Sequence, residues 1–266
     1  LVGSEMCIRD RKRTKQTASP VILGGSFEID RVIAQTSGAI NEMDFQIKQK
    51  TKAGANYFHN LVINGTSASS GTGYVPNTFD GLKKTLSGKS TEMTTDIDVS
   101  TSAMLDSNYN AFLDELDTFL ALLAAKPDVL MMNNKMLTKI RSAARRAGYY
   151  DRSKDDFGRT VETYNGILLM DAGEYYNGSA TEDVVATSAP DSTHYGTSDI
   201  YAAKLGLDAF HGISVNGSKM LKTYLPDMSA PGAVKKGEVE LIAGAVLKNS
   251  KMAGVLKGIK LLGKTS

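Results

Sequence analysis

The residues of this chain best placed to do chemistry are a glycine-lysine-serine stretch, three histidines, two adjacent aspartates and a set of lysines near the carboxyl end. Gly81 to Ser90 reads GLKKTLSGKS, with the ending of a phosphate loop. Such a cradle needs a glycine five positions before the second one, so that successive amides can turn toward the phosphate; that position is Lys83. No apolar strand precedes it, and a solvated loop is the expectation. His59, His194 and His211 fall in three separate segments, with no His-x-x-x-His or Glu-x-x-His pair to make a metal face. No serine has glycines two positions to either side, so the elbow that presents a hydrolase nucleophile is missing. In Asp151-Arg152-Ser153-Lys154-Asp155-Asp156 the spacing of acids does not fit a calcium loop. Adjacent acids in a loop are usually solvated, or they meet another subunit. Lys248, Lys251, Lys257, Lys260 and Lys264 could touch nucleic acid, and equally they solubilise the rim of an apolar strand. No cofactor, metal or catalytic residue is expected from this set.

Composition supports that reading. With 31 basic and 29 acidic residues the net charge is +2, too small for the basic field of a dedicated nucleic-acid binder. No stretch approaches the roughly 20 apolar residues of a membrane helix. The chain reads as soluble and globular, and 266 residues suffice for one large core or two smaller ones.

The run LVGSEMCIRDR, residues 1–11, resembles the translated end of a transposon adapter from a shotgun library, and we set it aside as foreign. Two acids, two bases and the only cysteine, Cys7, go with it. What remains has neither a disulfide framework nor a thiolate metal site, which suits assembly in a reducing cytoplasm. Natural sequence is then expected to be missing before Lys12.

The elements that must position these residues follow from periodicity. Val21 to Leu23, a Gly-Gly joint, and the alternation Phe27, Ile29, Arg31 read as strand. Thr36-Ser37-Gly38 offers an entry to one long amphipathic helix over about 39–62, stopped by Asn64-Gly65 acting as a left-handed cap. A loop rich in Ser, Gly and Thr follows as far as Phe79. A second helix is expected over about 108–125, ended by Pro127, then a buried strand over 129–132. A third helix, about 135–147, is capped by Asn133 or Asn134 and ended by Gly148. Strands are expected over 161–164, 167–170, 199–204 and 210–215, with tight turns at Asn165-Gly166 and Asn216-Gly217. Asn177 to Thr197 reads as a long polar surface loop, and apolar runs over 238–247 and 252–262 close the chain.

In this order the elements resemble the major capsid proteins of tailed bacteriophages, the Hong Kong 97 fold family. Four passages carry the resemblance. Phe27-Glu28-Ile29-Asp30-Arg31-Val32-Ile33 is similar to the strand entering the spine helix, and Asn60 to Gly65 with Phe79-Asp80-Gly81-Leu82 is similar to the family's "NG…F-x-GL" passage. Asp128 to Asn133 with the helix through Arg141 resembles the axial strand and helix. Tyr164 to Ile167, Asp199 to Ala202 and Ala253 to Ile259 resemble the closing strands.

The resemblance implies an α+β fold with a long spine helix, a peripheral domain and an α/β axial domain. Its expected division is a remnant of arm and extended loop over 12–36, a peripheral domain over 37–102, an axial domain over 103–235 and a closing segment over 236–266. It implies a structural subunit of the virion, assembled in the host bacterial cytoplasm into pentamers and hexamers of an icosahedral shell around double-stranded DNA. Scaffold, portal and decoration proteins are the implied partners, with no membrane and no catalytic role. Subunit contacts are expected at Phe27, Glu28, Ile29 and Arg31, on a strand reaching across a neighbour, and at Asp151, Arg152 and Asp155. Two other readings stand beside this one: an encapsulin-like compartment shell of the same fold, and a small α/β hydrolase or nucleotide-binding enzyme.

Overall fold

The computed structural model describes residues 18–36, 41–67, 78–148, 151–154, 160–215 and 219–265. The chain runs β1 (Val21–Asp30), α1 (Arg31–Thr36), α2 (Glu42–Asn64), α3 (Leu82–Leu86), β2 (Glu92–Thr94), α4 (Ser102–Ala121), β3 (Val129–Met132), α5 (Asn134–Ala147), β4 (Asp151–Lys154), β5 (Thr160–Tyr164), β6 (Ile167–Asp171), β7 (Glu174–Tyr176), β8 (Thr181–Asp183), β9 (Gly196–Ala203), β10 (Phe210–Ile213), β11 (Leu221–Tyr224), β12 (Val234–Leu247) and β13 (Ala253–Leu262).

Two main sheets organise most of these elements, and β7 and β8 pair as a separate two-stranded sheet. In the larger, the order is β2-β13-β9-β3-β6-β5-β4. All four residues of β3 are buried, because both faces of the sheet are covered. Leu130 and Met132 point to Phe112, Leu116 and Phe119 of α4 and to Met136 and Ile140 of α5. Val129 and Met131 point the other way, to Ile63, Leu82, Leu86 and Val184. β13 keeps this alternation across a break. Its register with β9 shifts between Leu256 and Ile259, where Gly258 takes φ +84. The extra residue flips the parity of the strand, so Leu256, Ile259 and Leu261 all reach the α4-α5 side.

The smaller sheet centres on β12, with β1 on one edge and β10 and β11 on the other. β1 and β12 pair antiparallel over ten residues, Val21 opposite Ala243 through Asp30 opposite Val234, a ladder of roughly 33 Å. α2, of 23 residues and so about 35 Å long, lies along its inner face. Met43 and Ile47 pack on Phe27, Ile29 and Val239; Phe58 and Leu61 pack on Val21, Leu23 and Leu241. Helix and strand therefore run in opposite directions. Both sheets draw on discontinuous segments, since β1, β10, β11 and β12 form one while β2 and β13 join the other.

The boundaries differ from the sequence expectation where a side-chain cap decides them. α2 starts after Asn41, whose Oδ1 accepts from the amides of Met43 and Asp44, and not at Thr36, which closes α1. α4 starts at Ser102, six residues early, because Thr101 Oγ1 accepts from Met104 N. It ends at Ala121 in a tight turn in which Leu122 N and Leu123 N donate to Phe119 O and Leu120 O. The caps of α5 are the expected ones, Asn133 and the left-handed Gly148, φ +76. Asn165 and Gly166, φ +51 and +69, make the β5-β6 hairpin turn. The Asn216-Gly217 turn lies outside the described residues.

Three expectations are corrected. The polar stretch 177–197 contains β8 and a buried pair, Val184 and Val185. Gly81 to Ser90 is no solvated loop at its start: Leu82 and Leu86 of α3 are fully buried. Gly65 does not adopt a left-handed conformation, having φ −54 and ψ 139.

Candidate assembly surface

The residues expected to meet a neighbouring subunit divide by strand parity. Phe27 and Ile29 are 4% and 2% exposed, packed under α2 on the inner face of their own sheet. Glu28 points outward, 4.0 Å from Lys236 on β12, with both side chains well exposed. The expected strand from Phe27 to Ile33 ends at Asp30, whose Oδ1 accepts from Val32 N and turns the chain into α1. Arg31 is the first residue of that helix; its side chain is exposed and its amide donates to Ala233 O. Asp151 and Arg152 lie on β4, the edge strand of the large sheet, opposite Thr163 and Glu162 of β5. Asp155 lies outside the described residues. Glu28 and Arg31 thus lie at the end of β1 and the start of α1, Asp151 and Arg152 on the edge strand of the other sheet, and Phe27 and Ile29 face the interior of their own subunit.

Register brings together outward-facing residues that sequence reading missed. Side by side across β1, β12 and β11 stand Gly24, Glu240 and Lys222, then Ser26, Glu238 and Tyr224, then Glu28 and Lys236. Ile22 and Ile242 form an apolar pair beyond them, flanked by Met220, whose carbonyl accepts from Ile242 N. The face so made carries alternating charge, and Ile22, Met220 and Tyr224 are each more than half exposed. Only the short alternation Leu221-Lys222-Thr223-Tyr224 marked β11 in the sequence.

The end of α2 explains why two glycines recur in the passage through Phe79 to Leu82. Gly81 N donates to Gly65 O, and the two backbones are in direct contact. A Cβ on Gly81 would stand 2.6 Å from both Ile63 O and Leu61 O; one on Gly65 would fall on Phe79 O and Leu61 O. Asp80 closes the same junction, accepting from Ser67 N, Ser67 Oγ and Lys84 Nζ. Burial pushes its carboxyl up, but the Lys84 and Ser67 bonds outweigh this and hold it below the usual carboxylate range. Ser67 and Asp80 are thereby held to each other and to Lys84 of α3.

Among the described residues no group of three His, Cys, Asp or Glu side chains could hold a metal. No helix among them is long and apolar enough to cross a membrane. His59 and His194 are exposed, His194 bonded to Asp191, and His211 sits half-buried on β10 with Nδ1 unpartnered. Of the carboxyl-terminal lysines, Lys257 pairs with Glu92, Lys260 pairs with Asp96, and Lys260 and Lys264 both lie over Tyr195.

A long helix laid along a ladder of its own length, joined to a sheet covered by α4 and α5, is the arrangement expected of a Hong Kong 97-type subunit. The family model described as SU10 major capsid protein matches residues 13–168, more than half of the chain. The chain belongs to the SU10 major capsid protein family. Among solved structures, an encapsulin complex from Synechococcus elongatus is similar with a TM-score of 0.65 and 13% identity, over 93% of this chain and 76% of that one. The capsid of an empty GTA particle gives a TM-score of 0.54 at 13% identity, over 97% and 81%. A phage-related protein of Bordetella bronchiseptica gives 0.53 at 10% identity, over 93% and 78%. At these identities the likeness is one of fold, and it fixes the fold of this capsid-family chain as the Hong Kong 97 type. No curated protein matches it by sequence.

Proposed function

We propose that the chain is a shell subunit with a mechanical role, assembling with copies of itself into pentamers and hexamers that close around double-stranded DNA. The observation that carries the proposal is the family match across 13–168, which spans β1, the spine helix α2, and α4 to α5. A subunit that is not an enzyme is the reading that membership of a capsid protein family supports. The expected division into 12–36, 37–102, 103–235 and 236–266 would be redrawn by sheet pairing, with β1, α2, β10, β11 and β12 as the peripheral domain and the large sheet with α4 and α5 as the axial one. Glu28 and Arg31 would meet a neighbour at the first, and Asp151, Arg152 and Asp155 at the second. Scaffold, portal and decoration proteins would be the partners in the host cytoplasm before the subunit is part of the virion.

Negative-stain microscopy and sedimentation velocity of the purified chain test this reading, with closed particles or capsomers as the expected product. A chain that stays monomeric and binds nucleotide would overturn it. The encapsulin reading is the less favoured one, because the likeness to an encapsulin at 13% identity is one of fold, which both kinds of shell share. Neighbouring genes separate the two: terminase, portal and protease genes indicate a phage, and a ferritin-like or peroxidase gene a compartment.

A further inference from the structure

Gly54 sits in the middle of α2, where glycine weakens a helix relative to alanine. It is buried, yet a Cβ built on it would meet nothing within 4 Å. Packing within the subunit therefore does not explain this glycine. What lies beside it is an open groove of about 430 Å³ between α2 and Gly24 of β1, walled by Tyr57 and Tyr176. Lys50 and Lys52 stand on its rim, and neither has an ion-pair partner among the described residues.

The groove calls for an apolar side chain held between two aromatic rings, with a carboxylate beside it for the lysines. One segment of this chain offers both. In the turn after β9, Leu207 is 75% exposed, the most exposed large apolar side chain among the described residues. Asp208 follows it and has no hydrogen bond or ion pair among them. The turn is held in shape by Gly206 N donating to Phe210 O and Ala209 N to Gly206 O, so it presents Leu207 without further ordering. We propose that the Leu207-Asp208 turn of a second copy seats in the Gly54 groove, Leu207 between Tyr57 and Tyr176 and Asp208 toward Lys50 and Lys52. Knob and groove are different surfaces of one subunit, so the contact is head-to-tail, the kind that builds a ring such as a capsomer when its rotation closes. The inference rests on the shell reading above.

The test uses the full chain with Cys7→Ser as background. Gly54→Cys with Leu207→Cys is oxidised after assembly, and a ladder of disulfide-linked oligomers is expected on non-reducing gels, absent from either single variant. Gly54→Leu fills the groove and is expected to lower particle yield at least tenfold. Gly54→Ala, which adds only a methyl group in open space, is expected to fold and assemble, and separates filling from misfolding. Particles that form without the 54–207 cross-link, or Gly54→Leu particles in normal yield, overturn the contact. Failure of the unmodified chain to form particles sinks the shell reading instead, so the two failures are distinguishable.

Discussion

Phe27 and Gly237 stand opposite each other in the β1-β12 ladder, and the ring of Phe27 occupies the place a Gly237 side chain would need. A Cβ there would be 2.9 Å from both Cε1 and Cε2 of the ring and nearer still to Cζ. The glycine makes room for the Phe27 ring under α2, beside Met43 and Ile47. Gly237→Ala should therefore cost the subunit about 1–3 kcal/mol by overpacking. Phe27→Leu in the same chain should recover about 1 kcal/mol of that loss. Urea unfolding of the four proteins of this double-mutant cycle measures the coupling, and simple additivity would refute the steric account.

Gly65 and Gly81 make a harder contact, because the obstructing atoms are backbone carbonyls of α2 and of Phe79 that no rotamer change can move. Alanine at either position should cost about 2–3 kcal/mol, whereas Gly88→Ala, with nothing near its Cβ, should cost less. Gly88 has φ +70, so its smaller penalty would be one of backbone strain. Thermal melts of the dissociated subunits rank the three.

Much of the fold was legible in the sequence because its signals are local. The 3.6-residue period of α2, the apolar run Val129 to Met132, the caps Asn133 and Gly148 and the Asn165-Gly166 turn all act within a few residues. The rest depends on partners far away in sequence. Gly65 looks like a helix stop, but part of its reason for being glycine lies fourteen residues on, at the carbonyl of Phe79. Val184 and Val185 hide in a polar stretch because their burial comes from α3 and β3. For the assembly surface, alternation alone placed Phe27 and Glu28 on opposite faces of β1. Which face α2 covers depends on how that helix docks, so alternation by itself does not separate Phe27 and Ile29 from Glu28 as subunit contacts.

Asn133 joins three parts of the large domain. Its Oδ1 accepts from Met136 N to cap α5, and its Nδ2 donates to Val185 O, Thr187 Oγ1 and Ser198 Oγ. Alanine there would lose the cap and leave buried partners unsatisfied, at about 2–4 kcal/mol. Asn133→Asp keeps the acceptor for Met136 and can take bonds from the Thr187 and Ser198 hydroxyls. It sets a carboxylate against Val185 O, so it should fall between wild type and Asn133→Ala. A denaturation midpoint for Asn133→Asp at or below that of Asn133→Ala would show that the Val185 bond dominates.

Asp199 should make the subunit's stability depend on pH. Burial raises its carboxyl above the usual aspartate range, in spite of the Gly258 N–H that donates to Oδ1 at the β13 bulge and of the nearby Lys257 charge. A folded state with the higher pKa holds its proton more tightly than the unfolded chain. This contribution is therefore fully favourable below the ordinary aspartate value, near roughly pH 4, and is lost as the pH rises through the raised folded value. In an Asp199→Asn variant the side-chain amide oxygen would still accept from Gly258 N, without a charge to desolvate. Asp199→Asn should be more stable than wild type at pH 7, and the difference should shrink toward pH 4. Parallel melting curves from pH 4 to 8 check the sign, and a destabilised variant at pH 7 would mean that the attraction of Lys257 outweighs burial.

Glu28 and Arg31 separate folding from assembly. Glu28 contributes little to its own subunit: its partner Lys236 is 4.0 Å away and both side chains are more than 60% exposed, the regime in which an ion pair is worth about 0–1 kcal/mol. Arg31 is exposed at the start of α1 and is held there by its backbone amide, not its side chain. Glu28→Lys and Arg31→Glu should therefore leave the melting temperature of the dissociated subunit within about 2–3 °C of wild type. If these charges face a neighbour, particle yield should fall by an order of magnitude for each single reversal. The two sites need not pair with each other, so the double reversal is informative too. Recovery of particles in the double variant would indicate that Glu28 of one subunit meets Arg31 of the next, while normal yields from both single variants would remove this end of β1 from the contact altogether.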